Sequence, residues 1–230
     1  MHIEDYHVFF FDLDGLLIDT EPLFYRAFLE ACTETSLEIP WDFPTYYRYS
    51  SLGREQFSKE LVLQFPQAGG CLAKIFERRY QIYEASLVHG VPPLMPGVEE
   101  FLERLSFLER PLGVVTNSPG EAVMRLRREH AVFKLFSFWV TRECYSRPKP
   151  YGDSYRYAYQ RFAFEGARIV GFEDSLKGLR ALASIPATMV AVSPLAILSQ
   201  ETYPEFASRE LFFYTSFCEL MQQCCVQKKL

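Results

Sequence analysis

The N-terminal part of the chain combines one short apolar run with longer stretches of helical periodicity. Val8–Phe11 is a continuous apolar run of the length expected for a buried strand. From Glu21 to Ala31 the apolar residues recur at helical spacing, and Arg54–Leu63 and Leu72–Leu87 show similar patterns. Loop signals rich in glycine and proline follow the last two stretches. This part of the chain is therefore expected to be helical after its first strand.

Beyond residue 93 short apolar runs alternate with amphipathic helical patterns. The expected strands are LGVVT (112–116), FSFWVT (136–141), RIVGF (168–172), TMVAV (188–192) and LFFYTS (211–216). Helical patterns separate them, and FCELMQQCC (217–225) is expected to form a closing helix. Strands that alternate with helices through short connections predict a parallel, doubly wound α/β sheet. We therefore expect a Rossmann-like core domain from residues 1–19 and 94–230, with an inserted all-helical cap domain from residues 20–93.

The composition is that of a globular protein without a strong charge bias. Of the 230 residues, 49% are hydrophobic and 23% are charged, and the formal net charge is −5. This mild acidity argues against a nucleic-acid partner, which would need a basic surface. The apolar run near the N-terminus is too short for a signal peptide or a membrane span. The six cysteines lack the paired spacing of a zinc site, so we expect reduced thiols. Together these features predict a cytoplasmic location and no membrane contact.

Several polar residues fall where ligands collect in such sheets, beyond the carboxyl ends of the strands. They are Asp12, Asp14, Thr116, Lys149, Glu173 and Asp174. Helix capping is an alternative for two stretches, because SPGE (118–121) fits a capping box with proline at N1 and EDS (173–175) fits an N-cap. A calcium loop is excluded because Leu16 occupies the position of a third acidic ligand.

Four carboxylates that converge at one sheet edge would repel one another. Each pair about 4 Å apart costs roughly 4 kcal/mol at an effective dielectric near 20. A divalent cation removes this cost, and Mg²⁺ suits a carboxylate site that also waits for a phosphate. The helix that begins near Ser118 offers free amides that favour an anion. A metal, an anion site and a lysine together predict phosphoryl chemistry.

Five stretches follow one another in the order of the motifs of a known family. DLDGLLIDTEP (12–22) resembles its first motif, VVTNS (114–118) the second, RPKP (147–150) the third and GFEDSLKG (171–178) the fourth. PLMPGVEEFLERL (93–105) resembles the segment that links cap to core. By these motifs the sequence resembles the haloacid dehalogenase superfamily, in its phosphatase and phosphomutase branch with a helical cap. The resemblance spans almost the whole chain.

The resemblance implies roles for the acidic residues. Asp12 would be the nucleophile that forms an aspartyl-phosphate, and Asp14 would be the general acid and then the general base. Mg²⁺ would be held by Asp12, the backbone carbonyl of Asp14 and Asp174, with Glu173 in or near its coordination shell. Asp14 also favours phosphate esters as substrates, because dehalogenating relatives usually lack a second aspartate at this position.

The resemblance implies a phosphate site as well. Thr116 and the amides of Asn117 and Ser118 would hold the phosphoryl oxygens, and Lys149 would neutralise charge on Asp12 and on the phosphoryl group. Arg54 resembles a cap arginine that grips a second phosphate or a carboxylate of the substrate. The alternative for Arg54 is an exposed residue in the first turn of a helix.

These residues favour a Mg²⁺-dependent phosphatase that acts on a small phosphorylated metabolite, as a monomer or homodimer. A sugar phosphomutase of the beta-phosphoglucomutase type is the alternative, although such relatives carry a histidine at the position of Phe24. Phosphonate cleavage would need a cap lysine, and Lys59 and Lys74 lie in no matching motif. A signalling receiver domain would be shorter and would lack a cap. A non-catalytic member is disfavoured because every motif position is filled.

Overall fold

A computed structural model of the protein describes residues 1–88, 90–194 and 204–224. The chain divides into two compact units. The first comprises Met1–Ile18 and Pro93–Leu230, and the second comprises Asp19–Pro92. The use of the second unit as a cap stays a prediction.

The first unit is built around a parallel sheet of six strands. The strands are β1 (Val8–Phe11), β2 (Leu112–Val115), β3 (Phe138–Val140), β4 (Ile169–Glu173), β5 (Ala187–Val192) and β6 (Leu211–Tyr214). Their order in the sheet is β3-β2-β1-β4-β5-β6, and every pairing is parallel. β1 lies between β2 and β4 and is wholly buried, which explains its continuous apolar run. The predicted doubly wound α/β fold is confirmed.

The described residues form nine α-helices, of which α1 to α4 belong to the second unit. They are α1 (Glu21–Glu34), α2 (Phe43–Ser50), α3 (Arg54–Gln64), α4 (Leu72–Ser86), α5 (Val98–Ser106), α6 (Gly120–Glu129), α7 (Asp153–Phe162), α8 (Leu176–Leu182) and α9 (Phe217–Gln223). Helix α5 shows why the periodicity is informative, since Val98, Phe101, Leu102 and Leu105 are all buried.

The hydrophobic pattern does not predict α2, which has only eight residues. Its N-terminus does carry a local signal: Asp42 is the N-cap and accepts a hydrogen bond from the amide of Thr45 at 2.9 Å. Pro44 lies in the first turn, where its missing N–H is not needed. The helix is stabilised by packing, because Tyr46 is buried with its ring centroid 5.2 Å from that of Phe28.

The rings of Phe11 and Phe172 join the two central strands of the sheet. They stack with centroids 4.6 Å apart and planes 4° apart. Phe11 is the last residue of β1, and it pairs in register with Phe172 on β4. The residues that follow these two phenylalanines therefore emerge side by side at the carboxyl edge of the sheet.

Within the described ranges, no helix is long and apolar enough to cross a bilayer. The described cysteines are free thiols: Cys32, Cys71, Cys144, Cys218 and Cys224. Cys225, at the end of the expected closing helix, lies outside the described residues.

Candidate active site

The candidate site lies at the carboxyl edge of the sheet, where the strand order changes direction. The chain runs outwards from β1 to β3 on one side and from β4 to β6 on the other, so β1 and β4 flank the switch point. Crevices at such points are the usual ligand sites of open α/β sheets. Asp12 follows β1, Thr116 follows β2, Glu173 ends β4 and Asp174 comes next.

Three buried carboxylates meet at this point. Asp12, Glu173 and Asp174 each offer an oxygen, and these atoms all lie within 4.8 Å of one another. Asp12 is 6% exposed, Glu173 0% and Asp174 3%, so water screens them poorly. Three such carboxylates together require positive charge nearby.

Lys149 supplies part of that positive charge. Its buried ammonium donates hydrogen bonds to Oδ1 of Asp12 at 2.7 Å, to Oε1 of Glu173 at 2.6 Å and to the carbonyl oxygen of Val115 at 2.7 Å. Burial alone would lower the pKa of Lys149, but the carboxylates of Asp12 and Glu173 outweigh it and hold this pKa above its ordinary value. Lys149 is therefore a fixed cation beside Asp12.

One lysine does not balance three carboxylates, and the buried site of Glu173 disfavours a charged side chain. Burial raises the pKa of Glu173 to about 7, although Lys149 opposes this rise. Its Oε2 is buried and accepts no hydrogen bond from the residues that the structure describes. Buried oxygen ligands with surplus negative charge suit a divalent cation, so the residues fit a metal ion.

The side chain of Asp14 has different partners. Its Oδ2 accepts hydrogen bonds from Oγ of Ser118 at 2.5 Å and from Oγ1 of Thr116 at 3.3 Å. Asp14 is not among the three residues whose side-chain oxygens come together. A role for it as a metal ligand through its backbone carbonyl stays a prediction.

The alternative of a capping box at Ser118 does not hold. Helix α6 begins at Gly120 with Pro119 as its N-cap, one residue later than the capping box requires. The Ser118 hydroxyl is bound to Asp14, and the amide of Gly120 donates instead to the carboxylate of Glu143 at 3.2 Å. The amide of Ser118 is also engaged, since it donates to Oγ1 of Thr116 at 2.9 Å. The tertiary contact with Asp14 thus replaces local capping.

The alternative of an N-cap in EDS holds for Ser175 alone. Ser175 is the N-cap of α8, and its Oγ accepts a hydrogen bond from the amide of Gly178 at 3.3 Å. Glu173 and Asp174 belong to the acidic group.

Asn117 holds the loop that carries Lys149. Its Oδ1 accepts a hydrogen bond from the amide of Lys149 at 3.0 Å, and its Nδ2 donates to the carbonyl oxygen of Lys149 at 3.4 Å. Any contact between Asn117 and a phosphate would therefore use its backbone amide. The Tyr145 hydroxyl lies 2.7 Å from the carbonyl oxygen of Thr116 and 2.9 Å from Oδ1 of Asn117.

Sequence reasoning missed two tyrosines that contact these residues, Tyr145 and Tyr155. The Tyr155 hydroxyl donates to Oε1 of Glu173 at 2.5 Å. Desolvation raises the pKa of each tyrosine above its ordinary value, so both phenols stay protonated. No local pattern marks them, because tyrosine is common in this chain and both contacts join residues distant in sequence.

Arg54 belongs to the second unit, where it is the first residue of α3. Its guanidinium lies 4.4 Å from the centroid of the Phe76 ring, and that of Arg79 lies 5.2 Å from the same centroid. Neither arginine forms an ion pair with a described residue. Phe24, at the position of the mutase histidine, stacks on Tyr83 with centroids 3.9 Å apart.

Comparison with known proteins identifies the family. The model of the haloacid dehalogenase-like hydrolases matches residues 6–185, and the chain belongs to this family. Protein CbbY from Cereibacter sphaeroides is 29% identical over 74% of this chain and 77% of its own length. A phosphorylated carbohydrates phosphatase from Thermotoga maritima is 27% identical over 76% of this chain and 79% of its own length.

A solved structure supports the fold. CbbY from Rhodobacter sphaeroides, as a variant in complex with xylulose-(1,5)bisphosphate, has a TM-score of 0.68 and 24% sequence identity. The match covers 94% of this chain and 96% of that chain. The resemblance noted in the sequence is confirmed: the protein is a hydrolase of a family that includes proteins named as phosphatases. Enzymes of this family use a divalent metal ion, which the acidic group of Asp12, Glu173 and Asp174 can hold.

Proposed function

We propose that the protein is a Mg²⁺-dependent phosphatase that hydrolyses a small phosphorylated metabolite through an aspartyl-phosphate on Asp12. The observation that carries the proposal is the buried ion pair of Asp12 with Lys149, beside Glu173 and Asp174. The ammonium of Lys149 holds one carboxylate oxygen of Asp12 at 2.7 Å, which fixes the position of the proposed nucleophile. Asp12, Asp174 and the carbonyl of Asp14, with Glu173 close by, would hold Mg²⁺, which neutralises charge on carboxylates and phosphoryl oxygens when bound.

In the first step a carboxylate oxygen of Asp12 attacks phosphorus, and the bond from phosphorus to the ester oxygen breaks. The protonated carboxyl of Asp14 gives its proton to the departing alkoxide, which leaves as an alcohol. In the second step Asp14 removes a proton from water, and the hydroxide oxygen attacks the phosphorus of the aspartyl-phosphate. Phosphate leaves, and the Asp12 carboxylate is restored.

Contacts with neutral hydroxyls suit Asp14 to both steps. Its carboxyl faces Ser118 and Thr116, each of which can donate or accept a hydrogen bond as the proton moves. Lys149 and the amide of Asn117 would stabilise charge on the transferred phosphoryl group. Thr116 and Ser118 complete the proposed phosphate site.

We also propose that the second unit serves as a cap that selects the substrate. Arg54 of α3 and Arg79 of α4 both lie near the ring of Phe76, and together they would bind a second anionic group of the substrate. The printed names of the relatives, a phosphorylated carbohydrates phosphatase and a bisphosphate complex of CbbY, favour a sugar phosphate. A phosphomutase is less well supported, because Phe24 has no group that could carry a proton.

The setting of the enzyme is a further part of the proposal. Free thiols at the described cysteines are typical of a reducing compartment, which favours the cytoplasm. The net charge of −5 argues against nucleic acid as a partner. We expect a monomer or homodimer without membrane contact.

The test is hydrolysis of p-nitrophenyl phosphate and a panel of sugar phosphates at fixed Mg²⁺. We expect turnover that EDTA stops and added Mg²⁺ restores. Asp12→Asn should abolish turnover while leaving the circular dichroism spectrum unchanged, because an amide cannot act as the nucleophile. Asp5→Asn, which changes a half-exposed carboxylate paired with Arg168, is the matched control and should keep full activity. Full activity in Asp12→Asn would exclude the nucleophile assignment.

A further inference from the structure

A buried tyrosine contacts the ion pairs of the candidate active site without a part in the steps above. Tyr155 lies in α7 and is completely buried. Its hydroxyl donates to Oε1 of Glu173, and Nζ of Lys149 lies 4.8 Å from the centroid of its ring. Tyr155 therefore touches both partners of one of these ion pairs.

The hydrogen bonds of Lys149 show which atom accepts the hydrogen bond from the Tyr155 phenol. The three protons of its ammonium are matched by three oxygens at 2.6 to 2.7 Å, on Asp12, Val115 and Glu173. The Tyr155 oxygen is farther from Nζ, at 3.5 Å, so Lys149 does not need it as an acceptor. The phenol is thus a donor to Glu173.

Glu173 depends on this donor. Its Oε1 receives one hydrogen bond from Lys149 and one from Tyr155, and its Oε2 receives none from the described residues. When a buried carboxylate loses one of its two hydrogen-bond donors, it interacts more strongly with the donor that remains. Lys149 is also the ammonium that contacts Asp12, so a change at Glu173 alters the contact with the nucleophile.

We propose that Tyr155 is a positioning residue that acts through Glu173, holding this carboxylate so that Lys149 keeps its contact with Asp12. The expected effect on kcat rests on the proposed function. The expected effect on metal binding does not, because a displaced Glu173 also weakens the site for a divalent cation.

Tyr155→Phe tests the proposal, since it removes one oxygen and keeps the ring that packs 6.2 Å from Phe10. We expect kcat to fall about tenfold, which corresponds to about 1.4 kcal/mol in activation free energy. KM should change less than about twofold, because the ring does not bind substrate. The dissociation constant of Mg²⁺, measured by calorimetry, should rise about threefold or more, since a carboxylate near the ion is less well held.

Two controls separate positioning from a structural role. Tyr157→Phe changes an exposed tyrosine on the same helix and should leave kcat and Mg²⁺ affinity unchanged. In a Glu173→Gln background, adding Tyr155→Phe should change kcat less than about twofold, because the effects of two substitutions that act through the same group do not add. Equal fold losses in both backgrounds would contradict action through Glu173.

Three further results would overturn or support the positioning role of Tyr155. A Tyr155→Phe protein with a lower melting temperature but unchanged kcat and Mg²⁺ affinity would overturn the proposal. If that variant did not fold, Glu173→Gln alone would decide, and wild-type kcat with wild-type Mg²⁺ affinity in it would overturn the proposal. If the wild-type protein hydrolysed no ester, the proposed function would fail, and a weaker affinity for Mg²⁺ in Tyr155→Phe would still support the positioning role.

Discussion

Replacing Gly178 by alanine tests how Glu173 packs against the first turn of α8. Gly178 is the third residue of this helix, where alanine is normally more stable than glycine by about 1 kcal/mol. A β-carbon built on Gly178 would lie 1.8 Å from Oε2 and 2.2 Å from Cδ of Glu173. Since real contacts never approach so closely, either the carboxylate or the helix must move.

The cost of that movement can be set against the gain in helix propensity. The Glu173 carboxylate is held at Oε1 by Lys149 and Tyr155, at 2.6 Å and 2.5 Å. Hydrogen bonds to charged groups contribute about 1.5–3 kcal/mol each, so losing both costs about 3 kcal/mol or more. After subtraction of the helix gain, we expect Gly178→Ala to lower the free energy of unfolding by about 2 kcal/mol.

Urea unfolding followed by circular dichroism measures this change, and hydrolysis of p-nitrophenyl phosphate should fall in parallel. Gly120→Ala is the control, because it is the first residue of α6 and its β-carbon would lie 3.6 Å and 3.7 Å from the side chains of Thr141 and Glu143. Those are ordinary contact distances, and this variant should be as stable as the wild type or more so. If Gly178→Ala matched the wild type in stability and activity, the packing of Glu173 against α8 would be refuted.

Three further predictions concern single side chains. Lys149→Met should lower the free energy of unfolding by about 3–5 kcal/mol in chemical denaturation, because it leaves Asp12 and Glu173 buried without their cation; added Mg²⁺ should recover part of the loss, and an unchanged midpoint would contradict the reasoning. In single-turnover experiments Asp14→Asn should slow release of the alcohol from alkyl phosphates about 10²-fold or more but spare release of p-nitrophenol, a leaving group that hardly needs a proton; equal losses in this first step would exclude the acid role. Burial raises the pKa of Cys32 to about 12, so its thiol stays protonated below that pH. Mass spectrometry should find exposed Cys218 alkylated by iodoacetamide at pH 8.5 well before Cys32, and equal rates would show that Cys32 is not buried.

The order of strands and helices could be predicted because their signals are local. The run of phenylalanines in β1 and the buried face of α5 follow directly from the spacing of apolar residues. The same local patterns put Asp12 and Lys149 near the ends of strands, and motif order related them to a family. Helix α2 was missed because eight aromatic-rich residues are too few for a clear period, although Asp42 offered a capping signal.

The partners of each site residue were decided by the tertiary structure. Ser118 could cap a helix or bind Asp14, and the choice depends on bringing together residues 104 positions apart. Lys149 reaches Asp12 across 137 positions, and Asn117 holds its loop across 32. Tyr155 carries no motif, and its contact with Glu173 exists only because folding brings the hydroxyl of a residue in α7 to the last residue of β4. Sequence periodicity describes one element at a time, whereas hydrogen bonds between elements depend on how the sheet brings their ends together.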